Sequence, residues 1–335
     1  MKRGFLFLFS VVWLLFLATC GRQDSPSCSG KLYNSPSIYV AGTYVYTSIY
    51  AKNKSLDPSD PTCPTNTEPY NLVFGKSTDS GNTWTTVTVK QNISPSSEPI
   101  GLSSQAIAAD PNNSSRVYIS YIDSNNILYC ASSADGGSSW TFSRVENTTN
   151  TTVVDHAIIT NSSGGVHIVY TAINAGLATL KSAKSTDFGA TWTLNTIDPS
   201  SNTGYKPSLT IDSNNYLYVS YYYVDTNGGL KFARSTDLGS NWSPVAVKTA
   251  DGTVSGPFSS VAVSSSAIYI AFYNPGGYVV ISGGYTENKN GKIQIMKSTN
   301  GGSSFSSLID IDTNSYSGKN MSLVSDGANN LYTSY

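Results

Sequence analysis

Ser77-Thr78-Asp79-Ser80-Gly81-Asn82-Thr83-Trp84 is the first of five copies of one octapeptide. The others are Ser133 to Trp140 (SADGGSSW), Ser185 to Trp192 (STDFGATW), Ser235 to Trp242 (STDLGSNW) and Ser298 to Phe305 (STNGGSSF). Their starts lie 56, 52, 50 and 63 residues apart, the size of one four-stranded propeller blade. The local chemistry fits a hairpin clasp. Asp79, Asp135, Asp187 and Asp237 can accept hydrogen bonds from backbone N–H groups of their own turn, and the glycine supplies a positive φ. The closing Trp84, Trp140, Trp192 or Trp242 then buries between neighbouring sheets. In the fifth copy Asn300 keeps an acceptor and Phe305 keeps an aromatic ring. These residues read as structural, and their aspartates are not expected to be catalytic.

The flanking sequence repeats with the clasp. About fifteen residues before it lies an alternating strand, as in Val117 to Tyr121, Val166 to Tyr170, Leu217 to Tyr221, Ile268 to Phe272 and Leu331 to Tyr335. A shorter inner strand precedes each of these, for example Ala106 to Asp110 and Ser208 to Asp212, while further strands enter and leave the clasp. The expectation is an all-β fold, a six-bladed β-propeller with full blades at 36–92, 100–146, 152–198, 205–250 and 257–310. A sixth blade begins near residue 318 and is truncated at Tyr335. Gly30 to Asn34 is available as one outer strand for ring closure. The alternative, a natural end with a defective last blade, would expose a long strand edge. The domain plan is residues 1–20 as an export signal, 21–35 as a linker and 36–335 as the propeller.

Composition supports this plan. Charged residues are only 12% of the chain, tyrosines number 23, and 20 Lys+Arg nearly balance 21 Asp+Glu. That balance excludes a basic nucleic-acid binder. Lys2 and Arg3 precede an apolar run from Gly4 to Ala18, broken only by Ser10, which marks export. The run ends in Leu17-Ala18-Thr19-Cys20, which resembles the bacterial lipobox, so lipidation of Cys20 is expected; Thr19 departs from the usual small residue, and ordinary signal cleavage is the alternative. Cys28 and Cys63 lie in polar, irregular sequence and are available to pair, whereas Cys130 sits in an apolar strand as a buried free thiol. With no CxxC and only His156 and His167, no zinc-site spacing exists, and neither metal nor cofactor is expected.

The octapeptide resembles the Asp box, or bacterial neuraminidase repeat, of the sialidase superfamily of β-propellers. The resemblance implies an arginine triad for a substrate carboxylate, a Tyr/Glu nucleophile pair and an aspartate acid/base. It also implies a first arginine in an Arg-Ile-Pro motif, but no such motif is present and residues 23–115 contain no arginine. Arg3 and Arg22 belong to the signal and its junction. Arg116 and Arg234 should lie near the Asp-box end, and Arg144 on an outer strand. Sialidase chemistry is therefore not expected.

In a propeller the binding loops occupy the end opposite such clasps. Carboxylates expected there are Glu98, Asp123, Asp155, Asp198, Asp225, Asp251 and Glu287, with Asp155, Glu98 and Glu287 the candidates for catalysis. A pair about 5–9.5 Å apart would serve a glycosidase, but no spacing singles one out. His156 falls at the top of an inner strand, where Gln105, Pro207 and Ser259 stand in other blades; it reads as a ligand contact or as a hydrogen-bonded structural histidine. His167 occupies a strand position held elsewhere by tyrosine and reads as packing. Tyr205, Tyr222, Tyr223, Tyr278, Tyr285 and Tyr316 could stack on sugar, and Lys206, Lys289 and Lys319 could meet an anion. The expected ligand contacts are His156, Tyr205, Lys206 and Tyr285. The functional expectation is an exported module that binds a glycan or a surface protein, touching the membrane only through a lipid at Cys20. A glycoside hydrolase and an envelope scaffold are the alternatives.

Overall fold

The computed structural model describes residues 33–52, 70–93, 105–224, 228–248, 258–274, 292–306, 309–313, 321–327 and 330–334. These residues form six antiparallel sheets, and each follows the chain strand by strand. The first sheet is β1 (Tyr33–Ala41), β2 (Tyr44–Lys52), β3 (Tyr70–Ser77) and β4 (Thr85–Ile93). The second is β5 (Gln105–Asp110), β6 (Asn113–Ile122), β7 (Leu128–Ser133) and β8 (Thr141–Arg144). The third is β9 (Thr151–Thr160), β10 (Val166–Asn174), β11 (Leu177–Ser185) and β12 (Thr193–Asp198). The fourth is β13 (Thr203–Ile211), β14 (Leu217–Tyr223), β15 (Gly229–Ser235) and β16 (Ser243–Lys248). The fifth is β17 (Ser259–Val263), β18 (Ile268–Asn274), β19 (Lys292–Ser298) and β20 (Ile309–Asp312), and the sixth pairs β21 (Ser322–Ser325) with β22 (Leu331–Ser334).

The first strand of each sheet packs beside the first strand of the next, from β1 through β5, β9, β13 and β17 to β21. Successive sheets therefore stand face to face around these inner strands, which is propeller architecture. The core is divided among the seams. Tyr46, Tyr50 and Phe74 pack with Ile107, Ile119 and Tyr121 between the first two sheets. Val169, Leu180 and Ile197 meet Val219, Tyr221 and Ala233 between the third and fourth. Ala262, Ala271 and Ile293 meet Met321 and Leu323 between the fifth and sixth. A second strand such as β18 has a neighbouring sheet on both faces, so its residues are buried without alternation.

The octapeptides join the third and fourth strands, and the serine–aspartate part of the clasp repeats each time, whereas Trp192 donates to the Ser143 hydroxyl and not to its own turn. The Ser77 hydroxyl donates to Asp79 Oδ1 at 2.8 Å and accepts the Gly81 N–H at 2.8 Å. Asp79 Oδ1 also accepts the Thr83 N–H at 2.8 Å, and Trp84 Nε1 donates to the Gly81 carbonyl at 3.0 Å. Serine is thus as much a part of the clasp as aspartate. Asn300 keeps the geometry, accepting the Ser298 hydroxyl at 2.8 Å and the Ser304 N–H at 3.0 Å. Trp140 meets Phe74 of the preceding sheet edge-on at 5.2 Å, and Phe305 repeats the contact with Phe232 at 5.2 Å. Gly137 (φ 98°) and Gly302 (φ 90°) lie directly against those phenylalanine rings, where a Cβ would collide.

Two expectations need correction. Tyr33 and Asn34 do not supply an outer closing strand; they pair with Ala51 and Tyr50 within β1, beside β2. The inner strand simply begins earlier than its apolar pattern does. Asp155 and Asp198, expected on solvated loops, lie in β9 and at the end of β12 and are buried. Cys130 is a buried free thiol, whose pKa burial pushes up to about 12. Cys20, Cys28, Cys63, Glu98, Asp225, Asp251, Glu287, Tyr278, Tyr285, Tyr316, Lys289 and Lys319 lie outside the described residues.

Candidate functional site

Two backbone hydrogen bonds orient the molecule. The Ser80 N–H donates to the Thr43 carbonyl and the Gly136 N–H to the Ser115 carbonyl, so the turns after the inner strands share one end with the Asp boxes. At the opposite end the inner strands begin, bringing Gln105, Asp155, His156, Tyr205, Lys206 and Ser259 onto successive sheets.

Most of these residues tie seams. The Ser48 hydroxyl donates to Gln105 Oε1 at 2.7 Å, and the Ser220 and Ser259 hydroxyls meet at 2.9 Å. His156 holds the same repeat position and places Nε2 3.1 Å from the Ser120 carbonyl. That carbonyl requires Nε2 to carry the proton and leaves Nδ1 an acceptor, which is buried without a partner. Burial drops the pKa of His156 to about 4, the Ser120 contact opposing it, so the ring is neutral near neutrality. His167 is also buried and meets Asn161 Nδ2 through Nε2 at 3.1 Å.

Asp155 and Lys206 differ from these neutral ties. The strand pairing skips a residue near Asp155, where Tyr170 faces His156 but Ala172 faces Val153. It skips again near Lys206, where Tyr222 faces Tyr205 and Ser220 faces Ser208. Such bulges re-aim side chains. Here they bring Lys206 Nζ to 3.2 Å from Asp155 Oδ1, while the Lys206 N–H donates to Asp155 Oδ2 at 3.3 Å. The Lys206 ammonium also stands 5.9 Å from the centre of the Phe258 ring. Tyr205 is half-buried, and burial followed by the Asp155 charge raises its hydroxyl pKa.

Sequence reasoning missed two buried tyrosine–carboxylate–lysine clusters. The Tyr170 hydroxyl donates to Glu146 Oε2 at 3.0 Å, and Lys181 Nζ reaches the same oxygen at 3.0 Å. One sheet further on, Tyr221 donates to Asp198 Oδ2 at 2.8 Å and Lys231 lies 2.9 Å from it. Tyr170 opposes Lys181 and Tyr221 opposes Lys231 in the strand register, so the cluster is a repeat feature. A tyrosine paired with a carboxylate is what the sialidase resemblance implies for the nucleophile. Both tyrosines are fully buried, however, and burial followed by the adjacent carboxylate charge raises their pKa values well above the ordinary 10. They staple seams. The pairing of Tyr170 with Lys181 across β10 and β11 was the signal that could have found them.

The described arginines are dispersed. Arg116 lies 3.4 Å from Asp110 and stacks 3.8 Å over Phe188 in an Asp-box turn. Arg234 donates to the Gly301 carbonyl in another Asp-box turn at 3.3 Å, and Arg144 donates through Nε to the Glu146 carbonyl at 2.6 Å. Of the other carboxylates, Asp123 accepts the N–H groups of Asn125 and Ile127 in its own turn, each at 2.9 Å. Among the described residues, no three His, Cys, Asp or Glu side chains gather as a metal site.

Face-to-face four-stranded sheets clasped by Asp boxes define a sialidase-type β-propeller. Residues 123–330 match the BNR repeat-like domain, and the chain belongs to that family. The Hadza microbial sialidase Hz136 is similar in structure, with a TM-score of 0.54 at 15% identity over 88% of this chain and 61% of its own. The NanB sialidase from Streptococcus pneumoniae gives 0.54 at 12% identity over 90% of this chain and 64% of its own. Trypanosoma rangeli sialidase, solved as a covalent intermediate with 2,3-difluorosialic acid, gives 0.53 at 15% identity over 90% and 51%. This chain thus spans half to two thirds of the length of these sialidases. No curated protein matches it significantly in sequence.

Proposed function

We propose that this protein is an exported sialidase-like propeller that binds glycans at the cell surface and does not perform classical sialidase chemistry. The observation that carries the reading is the use made of the arginines. Arg116 and Arg234 serve Asp-box turns, and Arg144 serves an outer strand end, so none stands where the inner strands begin. A bidentate grip on a substrate carboxylate needs guanidinium groups converging on one point. The end opposite the Asp boxes offers Tyr205, Phe258 and the Lys206–Asp155 pair instead, an aromatic and polar surface suited to sugar. Export rests on the apolar run behind Lys2 and Arg3, and surface attachment on Cys20.

The test is retention of the full-length protein on a glycan array. Binding to a defined set of oligosaccharides, competed by the same sugars free in solution, is expected. Binding to envelope proteins with no glycan retained would replace this reading by a protein-scaffold role.

A further inference from the structure

Among the described residues, Asp155 and Lys206 are the charged groups carried by the inner strands themselves near their starts. At the same level the inner strands otherwise use neutral groups, Ser48 with Gln105, His156 with the Ser120 carbonyl and Ser220 with Ser259. Ion pairs do tie seams elsewhere, Glu146 with Lys181 and Asp198 with Lys231, but there each carboxylate also accepts a buried tyrosine hydroxyl, whereas Asp155 is met by the ammonium and the N–H of Lys206. The backbone here is also unusual. Lys206 has φ 51°, in the left-handed region, although Pro207 follows it and disfavours compact conformations in the residue before. Strain, a bulge in each strand and a charge pair coincide at one seam.

We infer that Lys206 and Asp155 form the polar floor of a subsite for a neutral sugar ring, flanked by Tyr205 and Phe258; the inference rests on the glycan-binding reading above. The Lys206 side chain is 22% exposed and that of Asp155 only 5%, so the lysine side chain lies nearer the surface than the carboxylate. At 3.2 Å the Asp155 charge cancels most of the ammonium field beyond the pair. An approaching carboxylate therefore meets a dipole with a buried anion behind it, whereas hydroxyl groups, which both donate and accept, suit a donor beside an acceptor. Half-buried Tyr205 and Phe258 add ring surface for the apolar face of a pyranose.

The experiment uses an array that pairs neutral oligosaccharides with their sialylated and uronic-acid counterparts, probed with the full-length protein and three variants. Native protein should favour the neutral members. Lys206→Met and Tyr205→Leu should each weaken that binding about tenfold or more. Asp155→Asn, by uncovering the lysine charge, should move preference toward the acidic members; should that variant fail to fold, the other two still decide. Native preference for acidic glycans, or neutral binding unchanged in both Lys206→Met and Tyr205→Leu, overturns the subsite and leaves glycan binding standing. Retention of no glycan by the native protein removes the broader reading instead.

Discussion

Single residues in this propeller are held in charge states that burial or turn geometry selects. His156 and His167 both fall to about 4, mainly through burial, against an ordinary 6.5. Their unfolded forms bind a proton below 6.5 while the folded forms do not until about 4, so folding stability is full above 6.5 and declines as the pH drops through that interval. Asp79 and Asp187 fall to about 2, held there by N–H and hydroxyl groups of Thr83 and of Thr191 respectively. A depressed carboxylate contributes stability above its ordinary value of 3.8 that is lost as the pH falls toward 2. Thermal midpoints measured against pH should therefore decline in two stages on acidification; a midpoint flat from neutrality to pH 4 would contradict the burial of the histidines. The aspartate role was legible in the sequence, because a turn aspartate acts within a few residues of itself. The histidine environments were not, since the partner of His156 is a backbone carbonyl 36 residues away.

At the scale of elements, the inner strands show how adjacent sheets are joined without hydrogen-bonded pairing of their edges. Ser37, Ser208 and Ser260 hold one repeat position, and each hydroxyl accepts an N–H from the next inner strand. The donors are Ile107 at 3.1 Å, Val261 at 3.2 Å and Leu323 at 3.0 Å. Ala106 and Ala157 occupy that position in the second and third sheets, where Thr160 instead donates to the Ala109 carbonyl at 2.6 Å. Ser260→Ala would leave the Leu323 N–H buried without its acceptor, at a cost of about 1–3 kcal/mol. Urea unfolding should show this as a lowered midpoint with an unchanged slope, and an unaltered midpoint would mean that the hydroxyl is dispensable. A serine inside a strand pattern reads as solvent-facing in sequence, so these ties were invisible until the sheets were placed face to face. The same blindness hid Glu146, Lys181 and Lys231, whose partners lie across a seam.

For the whole molecule, the repeat was enough to define the architecture, because five clasps at near-regular spacing leave one way for the sheets to stack. The candidate site was only partly legible. His156 was picked out by repeat position, and Asp155, Tyr205 and Lys206 by their place at the end opposite the Asp boxes, but the fold divides them: His156 closes a seam through Ser120, while Asp155 reaches Lys206 on the next sheet. Strand bulges separate these outcomes, and no residue pattern announced them. The proposal that sialidase chemistry is absent rests on the arginines, since three guanidinium groups converging on one point are what would grip a sialic acid carboxylate. In this chain those described are committed to turns and strand ends. The most direct measurement is release of fluorophore from a 4-methylumbelliferyl α-sialoside by the full-length protein. No release above the uncatalysed background is predicted; saturable release that follows enzyme concentration would contradict it.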